Sequence, residues 1–377
     1  MRKYIYQYDS WPRLTWNDRA LAVTLGEVRL KQGRIVGQLA AMGFHLRQQT
    51  AADVLSDDIV HSAAIEGERL DSNQVRSSVA RRLGVETAGI TRGQDSRLQQ
   101  SSPSREVNGM VDIMLDATRD YCAPVTAERL FAWHGAMFPT GRSGLHAIKV
   151  AGWRDSEMQI VSGSHGHEHV HYEAPPAKQV PNEMRQFLRW VNEADDLDLV
   201  IKSGVAHFWF VVIHPFDDGN GRLARALSEL LLARSDGSLD RYYSLSTQIM
   251  REQAEYYEIL KQEQYSSGDI TAWLRWYLDC LKHALTDSAA RLNDVAWRAR
   301  FWDQNEDADL NARQRKVINL LLSSFDGRLT TAKWAKLTKV SHDTALRDIK
   351  DLMKKNILEQ EEAGGRSVSY RLITNQK

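Results

Sequence analysis

Ile213-His214-Pro215-Phe216-Asp217-Asp218-Gly219-Asn220-Gly221-Arg222-Leu223-Ala224-Arg225 is the stretch on which the reading of this chain turns. An apolar helix leads into it and stops at His214-Pro215, because proline restricts the residue before it and cannot continue the hydrogen-bond ladder. Gly219-Asn220-Gly221 lets the backbone turn through positive φ, and a new helix begins at once. Such a loop aims backbone N–H groups and a helix N-terminus at one point, which makes a site for an anion, phosphate above all. Arg222 and Arg225, three apart on the new helix, reach the same polyphosphate. Asp218 offers the hard carboxylate oxygen that Mg²⁺ prefers when it bridges phosphates. His214, on the loop's other rim, has a pKa suited to taking a proton from an attacking hydroxyl at neutral pH. A single histidine after an apolar helix is usually structural, and a single helical arginine is usually a solvated charge. The grouping is what points to chemistry.

Working outward, helices dominate. Leu21, Val23, Leu25, Val28 and Leu30, then Ile35, Leu39 and Met42, have helical spacing. A second helix is expected over 51–65, where Leu55, Ile59 and Ala63 fall four apart, with Gly67 as its stop. The polar run TAGITRGQDSRLQQSSPSRE after Gly84 reads as a joining loop. Met158 to Ser162 and Val170 to Glu173 are short strand-like runs on either side of GSHGHEH, which predicts a β-hairpin. Further helices are expected over 181–192, 197–213, 222–233, 251–264 and 270–299.

The chain has 377 residues, 42% apolar and 26% charged, the composition of a globular protein of two or three domains. The first sixteen residues lack the apolar run of a signal peptide, and no run approaches a membrane span, so a cytoplasmic protein with no membrane partner is expected. Cys122 and Cys280 show no CxxC spacing, which argues against a disulfide framework or a cysteine metal site. Net charge is zero, yet residues 311–377 hold 14 Lys/Arg against 7 Asp/Glu. This basic tail reads as helices over 312–322, 331–337 and 341–356, with Ser341 as an N-cap. Two strands around Gly364-Gly365 then suggest a wing.

The segment His214 to Arg225 matches HxFx(D/E)GNGRxxR, and by it the chain resembles the Fic family of protein adenylyltransferases. The resemblance implies a mainly α fold: a Fic (Fido) helical core over 106–299 with one β-hairpin flap, an N-terminal helical domain over 1–86 and a C-terminal winged helix over 308–377. It implies transfer of AMP from ATP to a Tyr, Thr or Ser hydroxyl of a protein, the chain itself included. In that assignment His214 is the catalytic base, Asp218 holds Mg²⁺, and Gly219, Asn220, Gly221, Arg222 and Arg225 cradle the phosphates. Gly221 stands where the phosphorylating Doc-like branch looks like Lys, which favours adenylylation. Ser62-Ala63-Ala64-Ile65-Glu66-Gly67 resembles the family's (S/T)xxxE(G/N) inhibitory helix, so Ser62 and Glu66 are regulatory candidates. Glu66 would pair with Arg225 and put a carboxylate where the γ-phosphate belongs, and in some relatives it also serves removal of AMP. Gln159, Ile160, Val161 and Ser162 are the candidate edge of the target-docking flap, by β-augmentation. Tyr257 resembles the aromatic beside adenine, although a core tyrosine fits its spacing nearly as well.

Two other readings belong beside this one. His165, His167, His169 and His171 alternate as metal ligands on a strand would, but Gly166 interrupts them and no cysteine completes a site. Alternatively the chain is a DNA-binding regulator acting through its tail, with His342, Thr344, Arg347 and Lys350 on the third tail helix and Arg366 in the wing. A homodimer is a further possible assembly.

Overall fold

The computed structural model describes residues 3–40, 42–85, 103–162, 169–323, 325–361 and 368–373. Residues 86–102, which hold most of the expected joining loop over 87–106, and the wing tip with Gly364, Gly365 and Arg366 lie outside the described residues, and the last two loop residues already belong to a helix. The chain divides into two compact units, Met1–Leu292 and Asn293–Lys377.

The first unit opens with α1 (Asp18–Ala40), which buries Leu21, Val28, Gln32, Ile35 and Leu39, and α2 (Phe44–Ile65). α2 starts seven residues before the expected Ala51, directly after Gly43, because the polar run from His45 to Thr50 extends the helix without a breaker. α3 (Ser72–Leu83) begins where the Asp71 side chain accepts from the N–H groups of Asn73 and Gln74, and ends at Gly84 with φ +66°. α4 (Arg105–Arg119) and α5 (Ala127–Met137) are capped by Ser104 and Thr126 in the same way.

Two hairpins follow. β1 (Arg142–Ser143) with β2 (His146–Ala147) was not expected from sequence, its strands being too short to show a period. β3 (Gln159–Ser162) with β4 (His169–Glu173) is the expected one, antiparallel with an irregularity between Ile160 and Val161. Of the alternating histidines, His165 and His167 lie outside the described residues, while His169 and His171 stand on β4.

The centre of the unit is α7 (Leu199–Ile213) against α8 (Asn220–Asp236), flanked by α6 (Val180–Asn192), α9 (Leu245–Arg251), α10 (Gln253–Glu263) and α11 (Thr271–Gln304). Every residue of α7 from Val200 to Ile213 is buried, so the helix is enclosed on all sides, with the polar Lys202, Ser203 and His207 among its mostly apolar residues. Phe208 and Phe210 are fully enclosed, and each contributes on the order of 1.5–3 kcal/mol by leaving water. The helix expected over 251–264 is α10, and the seven-residue α9 that precedes it was not expected.

The second unit holds α12 (Ala312–Ser323), β5 (Leu329–Thr330), α13 (Thr331–Thr338), α14 (His342–Lys354), β6 (Leu358–Gln360) and β7 (Ser369–Leu372). Its core joins Val317, Ile318, Trp334, Ala345, Ile349 and Leu352. The sheet has three strands in the order β5-β7-β6, one more than expected, since two-residue β5 is too short to read from sequence. Ser341 caps α14 as expected, its hydroxyl accepting from Thr344 N–H.

Candidate active site

α7 ends on His214, whose backbone lies in the left-handed region at φ +51° although its N–H still donates to Phe210 O at 3.0 Å. A β-carbon makes that conformation costly, by order 1 kcal/mol or more, so neighbours must hold it. Arg154 does so. Its Nε donates to His214 O at 2.8 Å, its backbone N–H donates to Pro215 O at 2.9 Å, and its side chain also reaches Pro175 O. Sequence reasoning missed Arg154, because nothing local marks a buried arginine sixty positions away as a clamp.

The His214 ring is oriented by Val211 O, 3.3 Å from Nδ1. A carbonyl only accepts, so Nδ1 carries the hydrogen and Nε2 keeps its lone pair. Burial pushes the ring's pKa down to about 4, with the nearby Arg154 charge adding to the shift against the Val211 hydrogen bond. His214 is therefore neutral across the physiological range.

The loop is closed from within by Asn220, whose Oδ1 accepts from Phe216 N–H at 2.9 Å and whose Nδ2 donates to Phe216 O at 2.8 Å. Both side-chain groups are thereby spent on shaping the loop, and only the backbone N–H of Asn220 is left for a ligand. Phe216 stacks on His134 at 4.3 Å, and His134 Nδ1 accepts from Ala151 N–H, which leaves Nε2 to donate to Asp218 O at 3.2 Å. Gly219 sits at φ +79°, where a β-carbon would come 2.7 Å from Met137 Sδ.

α8 starts at Asn220 with no side-chain cap, so the first-turn N–H groups remain available to an anion. The two aspartates differ in surroundings. Asp217 is turned toward the small hairpin, its Oδ2 accepting from Lys149 N–H at 2.8 Å. Asp218 accepts from the Ser143 hydroxyl and from Gly219 N–H, and its Oδ1 lies 3.6 Å from Arg222 Nη2. Arg222 and Arg225 are both almost fully buried, and Arg222 lies over the Phe138 ring.

α2 closes on this site. The Ser62 hydroxyl and carbonyl take Arg225 Nε at 2.9 Å and Nη2 at 2.8 Å. Glu66 Oε1 stands 2.9 Å from Arg225 Nη1, off the line of a good hydrogen bond. The same oxygen is 2.0 Å from where a β-carbon on Gly221 would sit, so only glycine admits the carboxylate to the start of α8. Glu68, which the sequence reading passed over, pairs with Arg222 Nη1 at 2.5 Å. Tyr257 is met in an unexpected role. Its hydroxyl donates to Ile65 O at 3.1 Å beside Gln253 Nε2 at 2.8 Å, so α10 grips the end of α2 while the ring stays 43% exposed. In the flap, β3 pairs only with β4 among the described residues, and the β4 residue Tyr172 ties the hairpin to α7 through Val212 O at 2.8 Å. His207, two turns before His214, is spent on Ser228 and Tyr256 and held neutral by burial at about 3.

The helical core thus sets a neutral histidine and an uncapped, arginine-bearing helix N-terminus at the two ends of one short loop, an arrangement with the chemistry to receive an anion. Residues 124–232 match the Fic/DOC family, so this part of the chain is a Fic domain. Residues 4–85 match a domain of unknown function, DUF4172. The chain is 27% identical over 231 residues to the protein adenylyltransferase Fic of Drosophila mojavensis, covering 60% of this chain and 40% of that protein. The Drosophila melanogaster protein of the same name is 27% identical over 232 residues, with the same coverage. The match thus spans less than half the length of these relatives. The crystal structure of a Fic family protein from Desulfovibrio desulfuricans G20 has the same fold, with a TM-score of 0.54 at 22% identity, covering 97% of this chain and 99% of that one. Among the described residues, no helix is long and apolar enough to cross a membrane.

Proposed function

We propose that this chain transfers AMP from ATP to a hydroxyl of a protein, its own included, and that Glu66 holds the reaction off. The observation that carries this reading is the pairing of a neutral His214 Nε2 with the phosphate cradle formed by the first turn of α8, Arg222 and Arg225. The likeness to relatives named protein adenylyltransferases supports AMP as the group transferred. In the reaction the acceptor hydroxyl gives its proton to His214 Nε2, and its oxygen forms the bond to the α-phosphorus. The bond from that phosphorus to the β-phosphate bridging oxygen breaks, and pyrophosphate leaves. Gly219 and Gly221 let the backbone approach the phosphates, and Asn220 keeps the loop in shape.

Asp218 suits Mg²⁺ because this ion is ordinarily held by one or two carboxylates together with substrate phosphates, and Asp218 is the loop aspartate beside the arginines. Bound there, Mg²⁺ supplies charge neutralisation to the departing pyrophosphate. The open edge of β3 at Gln159, Ile160, Val161 and Ser162 takes the target as an added strand. Tyr257 borders the adenine end once α2 has moved. Removal of AMP, with Glu66 orienting a water, is the second activity this site supports. The test is labelling of a lysate with ATP carrying radioactive phosphorus at the α or the γ position. Retention of the α label alone supports the reading, and retention of the γ label replaces it with phosphorylation.

A second reading concerns residues 308–377 as a winged helix on duplex DNA. It is favoured by Arg347, Lys350 and Lys354, which are exposed on one face of α14 with no ion pair among the described residues.

A further inference from the structure

Glu66 is one of two carboxylates that α2 brings to the phosphate cradle. The chain leaves α2 through Gly67 at φ +80°, and Glu68 N–H turns back to Ala63 O at 3.1 Å. That tight reversal sets Glu66 and Glu68 against two arginines that lie on neighbouring turns of α8. Arg225 receives Ser62 and Glu66, whereas Arg222 receives Glu68. Arg222 is 3% exposed, so its charge needs a close anion. Asp218 lies farther off, at 3.6 Å, and is the carboxylate assigned to Mg²⁺.

We infer that Glu68 is a second inhibitory carboxylate, which neutralises Arg222 in the resting protein and must be displaced by a phosphate of the incoming nucleotide. The inference rests on the proposed role of Arg222 in holding that nucleotide. The two glutamates act differently. The Glu66 carboxylate fills the space over Gly221, so it blocks the productive pose. Glu68 only competes for a cation, and a cavity of about 250 Å³ lined by Glu68, Arg222, Glu106 and Arg142 gives it room to withdraw without moving α2. Burial pushes the Glu68 carboxyl above its usual range despite the opposing Arg222 charge, which is the mark of a group that gains by returning to water. Glu68 therefore sets nucleotide affinity, and Glu66 sets the rate at saturation.

The experiment is calorimetric titration of the full chain with the α,β-methylene analogue of ATP and Mg²⁺, for wild type, Glu68→Gln, Glu106→Gln, Arg222→Ala and Glu68→Gln/Arg222→Ala. Glu68 is 43% exposed, so a partly solvated pair is being removed, and Glu68→Gln is expected to tighten binding about two- to fivefold. Glu106→Gln makes the same charge change in the same cavity and is expected to leave affinity unchanged. With Arg222→Ala already present, Glu68→Gln is expected to add nothing. The inference is overturned if Glu68→Gln binds no tighter, if Glu106→Gln gains as much, or if the gain survives without Arg222. Absence of nucleotide binding in every variant overturns it as well. The expected affinity pattern without incorporation of α-labelled phosphate would leave the inference standing and remove AMP transfer as the activity.

Discussion

Glu66 Oε1 lies 2.9 Å from Arg225 Nη1, on a guanidinium whose other two nitrogens are already committed to Ser62. The contact is thus a single, off-linear approach rather than a two-pronged carboxylate–guanidinium pair. A hydrogen bond to a charged group contributes roughly 1.5–3 kcal/mol, and this geometry places it at the low end. Glu66→Gly is therefore expected to speed AMP incorporation about tenfold. Arg225→Ala in the same chain should cancel the gain, since the cation that Glu66 vacates is then gone. A time course in which Glu66→Gly is no faster than wild type, with an intact circular dichroism spectrum, would reduce SAAIEG to a plain helix end.

His214→Ala is expected to abolish AMP transfer while nucleotide binding stays within about threefold of wild type, because the base is lost and the α8 cradle remains. Labelling and calorimetry on the Glu66→Gly background separate the two effects. Transfer at the parental rate would take His214 out of the reaction.

Asp218→Ala is expected to remove Mg²⁺-dependent activity, with a loss of about a hundredfold or more in transfer rate. Asp217 is a poor substitute, since the segment just after β2 holds its Oδ2 through Lys149 N–H. Asp217→Ala should accordingly keep its Mg²⁺ dependence, and a reversal of the two results in a metal titration would show that the wrong acid had been assigned.

The lowered pKa of His214 has a definite sign. A base held down to about 4 stays deprotonated from neutral pH to nearly that value. The His214 limb in kcat/KM of Glu66→Gly should thus lie near pH 4 rather than near the ordinary histidine value of 6.5. Folding carries the same sign, because the neutral ring's contribution to stability is complete above the unfolded pKa and fades as pH falls through the folded one. An activity limb centred near 6.5 would mean that His214 is solvated in the working enzyme.

If the tail engages duplex DNA, full-length protein should be retained on a DNA column and released by salt. Arg347→Ala and Lys350→Ala should each lower the slope of log affinity against log salt by about 0.9 per lost phosphate contact. Retention that ignores both changes would assign the tail to another partner.

The loop from His214 to Arg225 could be read directly, because every part of it is local: an apolar helix, a proline stop, glycines at a turn and a new helix within thirteen residues. The mainly helical build was legible for the same reason, as was the β3–β4 hairpin, whose strands are long enough to mark themselves. A boundary went astray where no breaker stood, as at the start of α2, and the seven-residue α9 was too short to show a period. Two-residue β1, β2 and β5 carry no period at all. Partners were harder still. Glu68 and Arg222 are 154 positions apart, and Ser62 and Arg225 are 163 apart. A glutamate after Gly67 looks like any solvated charge, and Arg154 and His134 look like any surface arginine and helical histidine. What the sequence by itself determined was the build of the loop and the class of fold, since both rest on residues within a turn or two of one another. The tertiary structure alone decided that Asn220 braces the loop, that Tyr257 grips the end of α2, and that two carboxylates from the end of α2, not one, meet the two arginines. Those relationships depend on where separate helices pack, and helix packing is settled by the whole buried core rather than by any short stretch of chain.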